Sequence, residues 1–220
     1  MNKKSASIFL CARSCAFADS ARCAELGALF GEEYAASLNK KNSRAAADSL
    51  AGALLLADML AALGLGGGRI LRNSCGKPYF ADRDLSFSIS HDGGMAVCAL
   101  SDACEVGVDL MAMPPKIVSD KRLRLAERCF TASEAADLAA CGDDELFARS
   151  WTMREAIGKL IGSGVTPFFG KEIPRGEYAY EHFSLSCGNM LGFISLCKND
   201  PHARVNIINT DPSALIFRKI

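Results

Sequence analysis

FSISHDGGMAVCAL, residues 87–100, is the stretch of sequence that decides the fold class of this chain. Its apolar residues alternate with smaller or polar ones on both sides of Gly93-Gly94. Alternation around a glycine pair predicts a β-hairpin whose turn is formed by the two glycines. Ser90, His91 and Asp92 come immediately before that turn.

A second stretch repeats this pattern. Phe183-Ser-Leu-Ser186 matches Phe87-Ser-Ile-Ser90, and each copy follows a long helical segment. Strand sequences draw on few residue types, so a match this short also arises by chance. We expect an α+β fold made of two similar α/β subdomains, residues 1–104 and 105–220, related by a pseudo-twofold axis. A cleft between two such halves is the natural place for a ligand.

The remaining elements are predicted from hydrophobic periodicity and from capping residues. Thr131 and Glu134 have the spacing of a capping box, which predicts a helix start. A first strand is expected at 5–11, although two lysines and an apolar stretch before Ala16-Phe17-Ala18 imitate a signal peptide. The other predicted elements are helices at 19–38, 44–63 and 143–161, and a strand at 106–110.

Composition and charge exclude several classes of protein. The 220 residues include 25 Lys plus Arg and 25 Asp plus Glu, with a pI near 6.8, which argues against a general nucleic-acid binder. No apolar run reaches the roughly 18–20 residues of a membrane-spanning helix, so we expect a soluble protein with no membrane partner. The scattered cysteines favour a reducing, cytoplasmic location. The ten cysteines lack zinc-site spacing and are expected to be small buried thiols.

Two acidic residues are candidates for a metal site. Asp109 lies in the apolar strand predicted at 106–110, where an ionised carboxylate is costly unless it is paired or bound to a cation. Glu155 lies on the last predicted helix. A strand-end aspartate and a helical glutamate form the kind of oxygen pair that holds Mg²⁺. Lys159 follows Glu155 by four residues, which also fits an ordinary exposed ion pair.

Four segments in this order resemble the 4′-phosphopantetheinyl transferases of the larger, monomeric type. They are Gly76-Lys77-Pro78, Ser90-His91, Gly107-Val108-Asp109, and the helix at 151–159 that contains Trp151, Glu155, Ala156 and Lys159. Arg44 followed by Asp48 resembles the upstream arginine helix of the family. Four ordered motifs are far more specific than any one of them, and the resemblance covers residues 40–165.

The resemblance implies a pseudo-twofold fold, an enzymatic activity and a set of site residues. The activity is transfer of the phosphopantetheine arm of coenzyme A to a serine of an apo carrier protein, with release of 3′,5′-ADP. Asp109 and Glu155 would bind Mg²⁺, Glu155 would help to deprotonate the carrier serine, and Lys159 would neutralise the departing phosphate. The residues implied to hold the nucleotide are Arg44, Lys77, Ser90, His91 and Lys159.

Two positions depart from the family pattern. Arg154 replaces the usual lysine before the glutamate and keeps its charge. Met111 stands where many members carry a third acidic metal ligand, and a thioether binds Mg²⁺ poorly. The subgroup that resembles the animal enzyme also has methionine there and takes its third ligand from the residue after the hairpin histidine. We therefore expect Asp92, Asp109 and Glu155 to hold the metal, with a simple Asp-Gly-Gly turn as the alternative for Asp92.

A basic segment is the candidate docking site for an acidic carrier protein. Residues 116–128 contain five Lys or Arg against two acidic residues. We expect a monomer that docks its carrier through this segment, with a solvated helix face as the alternative. The expected docking residues are Lys121, Arg122, Arg124 and Arg128.

Two other functions compete with this interpretation. One is a protein of the same fold that binds coenzyme A or a nucleotide without transferring the arm, for which Met111 is the main reason. The other is a structural or regulatory α/β domain whose motif residues are ordinary caps and salt bridges.

Overall fold

The computed structural model describes residues 7–14, 22–38, 43–113, 119–187, 190–208 and 216–220. These residues form ten strands, six α-helices and a short 3₁₀ helix at Thr166–Phe168. The helices are α1 (Cys23–Phe30), α2 (Glu32–Leu38), α3 (Ser43–Ala62), α4 (Asp120–Cys129), α5 (Ala132–Cys141) and α6 (Asp144–Ile161). The strands are β1 (Ser7–Ser14), β2 (Ile70–Arg72), β3 (Pro78–Phe80), β4 (Ser86–Asp92), β5 (Met95–Ser101), β6 (Val106–Met113), β7 (Ala179–Cys187), β8 (Met190–Lys198), β9 (Arg204–Ile207) and β10 (Ile216–Lys219).

Two four-stranded sheets form the centre of the fold. The first has the strand order β4-β5-β1-β9 and the second has the order β10-β7-β8-β6, while β2 and β3 pair by themselves. Pairing is antiparallel except between β1 and β9, which run parallel. β4 and β6 are edge strands of different sheets, and they lie against each other.

The sheets and helices stack in four layers. α1, α2 and α3 cover one face of the first sheet, and its other face packs on the second sheet. α6 covers the opposite face of the second sheet. Every residue of β5 is buried because Ala96 and Cys98 face the helices while Met95 and Val97 face the second sheet. A strand covered on both faces has no polar side, which explains its nearly continuous apolar sequence.

Several locally encoded elements match their predictions. β4 and β5 form the predicted hairpin, with Gly93 and Gly94 both at positive φ in the turn. Thr131 and Glu134 form the capping box of α5. The helix predicted at 19–38 is wrong as a single element, because the chain forms α1 and α2 with a break at Gly31, whose φ is 95°.

The repeated stretches both form antiparallel hairpins. Their pairing differs, because Phe87 pairs with Leu100 whereas Phe183 pairs with Ile194, two residues short of the matching Leu196. β9, from the second predicted subdomain, pairs with β1 in the first sheet. The pseudo-twofold relation and the division at residue 104 stay predictions.

Two further expectations concern membrane-spanning helices and the burial of the cysteines. No helix among them combines the length and the apolar character needed to cross a bilayer. Of the free cysteines in the described ranges, Cys11, Cys98, Cys129 and Cys197 are buried as predicted. Cys75 and Cys141 are exposed, contrary to the expectation of buried thiols.

Candidate active site

Six of the eight predicted site residues converge at the seam between the two sheets. A cavity of about 400 Å³ lies between the end of β4, the middle of β6 and one face of α6. The side chains that line it include Ser90, His91, Asp92, Asp109, Met111, Trp151, Glu155 and Lys159. Residues far apart in the sequence are therefore neighbours in the fold.

Gly107 allows α6 to approach the sheet closely. A Cβ atom at this position would lie 2.0 Å from the carbonyl oxygen of Ala156 and 2.5 Å from the amide nitrogen of Leu160. Only glycine fits against a helix backbone at such a separation. The glycine two residues before Asp109 thus brings the helix that carries Glu155 and Lys159 down onto the strand that carries the aspartate.

Asp109 is the buried anion of the cavity. The residue is 6% exposed, and its Oδ1 accepts hydrogen bonds from Lys159 Nζ at 2.7 Å and from Ser90 Oγ at 2.8 Å. The ammonium supplies the charge partner that a buried carboxylate needs. The sequence also fitted an ordinary ion pair between Lys159 and Glu155. That partner is wrong, because Lys159 forms its ion pair with Asp109 across the seam.

Glu155 is half-buried in the same cavity. Burial raises the pKa of its carboxyl above the ordinary value, and the Asp109 carboxylate raises it further, while Lys159 acts in the opposite direction. A carboxylate in this environment is a stronger proton acceptor than one in water. The two neighbouring carboxylates also attract a cation.

Asp92 makes hydrogen bonds to backbone amides. Its Oδ1 accepts from Gly93 N at 2.9 Å and its Oδ2 accepts from Ala112 N at 2.8 Å. Among the described residues, no three His, Cys, Asp or Glu side chains are grouped so that they could hold a metal ion. Asp92 therefore lines the cavity without joining Asp109 and Glu155 in a ready-made cluster of three carboxylates.

The donor set of the cavity fits Mg²⁺ with two protein ligands. Asp109 and Glu155 offer hard oxygen atoms, and Oδ2 of Asp109 lies outside the contacts with Ser90 and Lys159. Mg²⁺ is commonly held by one or two carboxylates, with waters and substrate phosphates as the other ligands. Met111 also lines the cavity and adds no such donor.

Lys77 lies farther along the seam from the two carboxylates. Its Nζ donates to Leu160 O at 2.7 Å, in the last turn of α6, and contacts Glu105 at 3.4 Å. Lys77 and Lys159 both line a second cavity of about 240 Å³, which adjoins the first at Lys159 and Ile89. Arg44 is in the first turn of α3, and its side chain is outside the described part of the structure.

Arg154 anchors α6 through a face of the helix that does not line the cavity. The side chain is fully buried, and its guanidinium donates to both carboxylate oxygens of Glu134, at 2.5 and 3.2 Å. It also donates to three backbone carbonyls and lies 4.7 Å from the centroid of the Phe130 ring. The sequence interpretation, which treated Arg154 as a charge-conserving replacement, missed this role.

Three hydrogen-bonded polar side chains join α6 to β7 and β8 of the second sheet. Ser195 Oγ lies 2.7 Å from Thr152 Oγ1 and 3.0 Å from His182 Nδ1. Burial lowers the pKa of His182 to about 4, with Arg149 and Arg175 lowering it further, so the imidazole is neutral at pH 7. Thr152 lies one helical turn before Glu155. This position of a polar residue was the sequence feature that could have indicated the contact between Thr152 and Ser195.

The basic segment forms α4, but one of its cations is engaged internally. Arg122 forms an ion pair with Asp144, a residue that is 2% exposed. The Arg122 guanidinium also lies over the ring of Phe147. Lys121, Arg124 and Arg128 are exposed on the same helix. Residues 114–118 lie outside the described ranges, so these three are the cations of the segment that the structure shows as exposed, beside the exposed acidic residues Asp120 and Glu127.

Comparison with known proteins gives one family and several relatives. Residues 105–184 match the 4′-phosphopantetheinyl transferase superfamily. The chain is 36% identical over 95 residues to the 4′-phosphopantetheinyl transferase of Bacillus subtilis, covering 41% of this chain and 40% of that protein. It is 38% identical over 117 residues to the 4′-phosphopantetheinyl transferase AcpT of Escherichia coli, covering 51% and 56% of the two chains.

A vertebrate relative matches over a longer stretch. The L-aminoadipate-semialdehyde dehydrogenase-phosphopantetheinyl transferase of Xenopus laevis is 29% identical over 163 residues, which cover 67% of this chain and 53% of that protein. The chain thus spans about half the length of these curated relatives, between 40% and 56%.

Proposed function

We propose that this chain, whose residues 105–184 match the 4′-phosphopantetheinyl transferase superfamily, transfers the 4′-phosphopantetheine arm of coenzyme A to a serine of an apo acyl or peptidyl carrier protein. The observation that carries this proposal is the convergence of Asp109, Glu155 and Lys159 in one cavity. Two carboxylates and an ammonium are the charges that phosphoryl transfer uses for metal binding, proton removal and neutralisation of the leaving group.

The proposed reaction assigns one task to each side chain. The carrier serine oxygen forms a bond to the phosphorus that bears pantetheine, and the bond from that phosphorus to the bridging oxygen of the pyrophosphate breaks. Glu155 takes the serine proton, directly or through a water, and its raised pKa suits that task. Lys159 neutralises the charge that develops on the departing 3′,5′-ADP.

Asp109 and Glu155 are the proposed ligands of Mg²⁺. When bound, the ion would neutralise charge on the pyrophosphate. Lys159 donates a hydrogen bond to Asp109 in this structure, and its ammonium has further N–H donors for an arriving phosphate. Arg44, Lys77 and His91 are proposed to hold the nucleotide and its 3′-phosphate, while the hydroxyl of Ser90 donates to Asp109.

A second candidate function is binding of coenzyme A without transfer. Met111 favours it, because this side chain lines the cavity and supplies no metal ligand. The two candidates differ in one product, the modified carrier.

Intact mass spectrometry tests the transfer reaction. We expect incubation with coenzyme A, Mg²⁺ and a panel of apo carriers to add about 340 Da to at least one carrier, the mass of one phosphopantetheine arm. Omission of coenzyme A is the control. Mg²⁺-dependent binding of coenzyme A without any mass addition would favour the binding-only function, and absence of both would contradict the proposal altogether.

Docking of the carrier on α4 gives a separate prediction. The double substitution Lys121→Glu with Arg124→Glu should raise the KM for the carrier about fivefold, the equivalent of roughly 1 kcal/mol from two exposed charges. The KM for coenzyme A should not change. Arg204→Glu, at an exposed position on β9, is the matched control. Equal carrier KM values in the double variant and the control would move the docking surface away from α4.

A further inference from the structure

The edge strands β4 and β6 are joined by side chains of β4. Ser86 Oγ accepts a hydrogen bond from Val106 N at 3.1 Å, and Ser88 Oγ accepts one from Val108 N at 3.0 Å. Asp92 Oδ2 accepts from Ala112 N at 2.8 Å. We call the four alternate residues of β4 that face β6 the serine ladder: Ser86, Ser88, Ser90 and Asp92.

The ladder satisfies amides that the second sheet leaves unpaired. In an antiparallel pair, alternate N–H groups of an edge strand point away from its partner. The N–H groups of Val106, Val108 and Ala112 are at alternate positions of β6, and they point to the ladder. Val106 and Val108 are fully buried, so each amide needs an acceptor inside the protein.

The hydrogen bonds from the β6 amides to the serine ladder also set the register of β4 against β6. Each ladder acceptor lies 20 residues before the amide that it binds. A constant offset means that β4 and β6 run side by side in the same direction without slipping. The position of β6 relative to the first sheet is therefore fixed by short side chains at three points.

Ser90 is the rung that reaches the candidate active site. Its hydroxyl donates to Asp109 Oδ1, the same oxygen that Lys159 binds. Two donors on one oxygen fix the rotation of the carboxylate, and Oδ2 lies outside both contacts. Ser90 is 6% exposed, so its hydroxyl is held by the packing of the seam.

We propose that the serine ladder positions Asp109 for cation binding, an inference that rests on the proposed function. Ser86, Ser88 and Asp92 hold β6 in place, and Ser90 orients the Asp109 carboxylate. Ser90 acts through Asp109 and is a positioning residue. Asp92 is the end rung of the ladder and serves the metal site through the position of β6.

Binding of Mn²⁺ alone, followed by electron paramagnetic resonance without coenzyme A, tests the role of Ser90. Ser90→Ala should weaken Mn²⁺ binding about 10- to 100-fold, the usual effect of removing a hydrogen bond to a ligating carboxylate. Ser90→Thr, which keeps the hydroxyl, should restore most of the affinity. Ser184→Ala, on β7 outside the ladder, is the matched control and should bind as the wild type does.

A second measurement separates the ladder from a direct role in nucleotide binding. If Ser90 only positions Asp109, Ser90→Ala should bind 3′,5′-ADP without metal as tightly as the wild type. Asp92→Asn keeps one oxygen, which can still accept from Ala112 N, and loses the acceptor of Gly93 N in the exposed turn. Its Mn²⁺ affinity should therefore stay within about threefold of the wild-type value, well below the loss expected for a ligand. Weaker 3′,5′-ADP binding by Ser90→Ala, or a 10-fold loss of Mn²⁺ affinity in Asp92→Asn, would overturn the assignment.

Amide hydrogen exchange tests the backbone rungs independently of any ligand. Ser88→Ala should increase exchange at Val108 and lower the melting temperature by a few degrees, as expected when a buried amide loses its acceptor. Wild-type protein that binds no Mn²⁺, or Ser90→Ala that binds it normally, overturns the proposal. Normal Mn²⁺ binding by the wild type without transfer to any carrier would instead contradict the proposed function and leave the ladder intact.

Discussion

Replacing Arg154 with methionine will lower the free energy of unfolding by about 3–5 kcal/mol, the largest stability effect that we expect from one substitution in this chain. Arg154 is fully buried, and all of its contacts are inside the protein. Methionine fills much of the volume but leaves the partly buried Glu134 carboxylate without its cation. It also leaves the carbonyl groups of Ser150, Phe168 and Lys171 without this donor.

Urea unfolding at pH 7 measures this effect. Arg149→Met is the matched control, because Arg149 is on the same helix, is 42% exposed and lies 3.9 Å from Glu145. Exposed helix pairs contribute about 0.3–0.5 kcal/mol, so the control should be close to the wild type. Arg154→Lys should fall between the two, since lysine keeps the charge but not the planar fork that binds both oxygens of Glu134. A loss below about 1 kcal/mol in Arg154→Met would contradict the anchoring role.

The contacts of Arg154 also show which interactions the sequence does not predict. The capping box at Thr131 and Glu134 was predictable because both of its contacts lie within one helical turn. That Glu134 also binds a guanidinium 20 residues later depends on how α5 packs beside α6, which local periodicity does not encode. The same limit applies to Lys159, whose neighbour in sequence is Glu155 but whose partner is Asp109.

The hairpin at 87–100 illustrates the same division between local and distant information. Alternation and the glycine pair predicted its strands and turn, because strand register is set by the turn and the pleat. Ser90 was expected at the nucleotide, whereas Ser86 and Ser88 counted only as small polar residues of that alternation. Their acceptors and donors lie on an edge strand of the other sheet, so the serine ladder became visible only when both sheets were in place. The site residues themselves came from ordered motifs, and the cavity brings most of them together.

Glu155→Gln will lower kcat for arm transfer by at least about 100-fold, the lower end of what a positioned proton acceptor contributes. The amide has nearly the same shape as the carboxyl group but takes no proton and carries no charge for a cation. Transfer to an apo carrier under saturating coenzyme A measures the change. Glu145→Gln, on an exposed position of the same helix, should keep wild-type activity. A Glu155→Gln variant with more than a tenth of wild-type kcat would remove Glu155 from the proposed proton transfer.

The same substitution should make the metal-free protein more stable at neutral pH. The folded-state pKa of Glu155 is raised above its ordinary value of 4.5, chiefly by burial and then by Asp109. The folded protein therefore holds this proton more tightly than the unfolded chain, and ionised Glu155 destabilises the fold at pH values above its folded pKa. Glutamine removes that penalty, so the melting temperature of Glu155→Gln should exceed that of the wild type at pH 8 in the presence of EDTA. The difference should shrink as the pH falls toward the unfolded-state pKa, where both proteins are uncharged at this position. Loss of activity together with a gain in stability cannot arise from damage to the fold, whereas a stability loss at pH 8 would show that Glu155 is a structural residue.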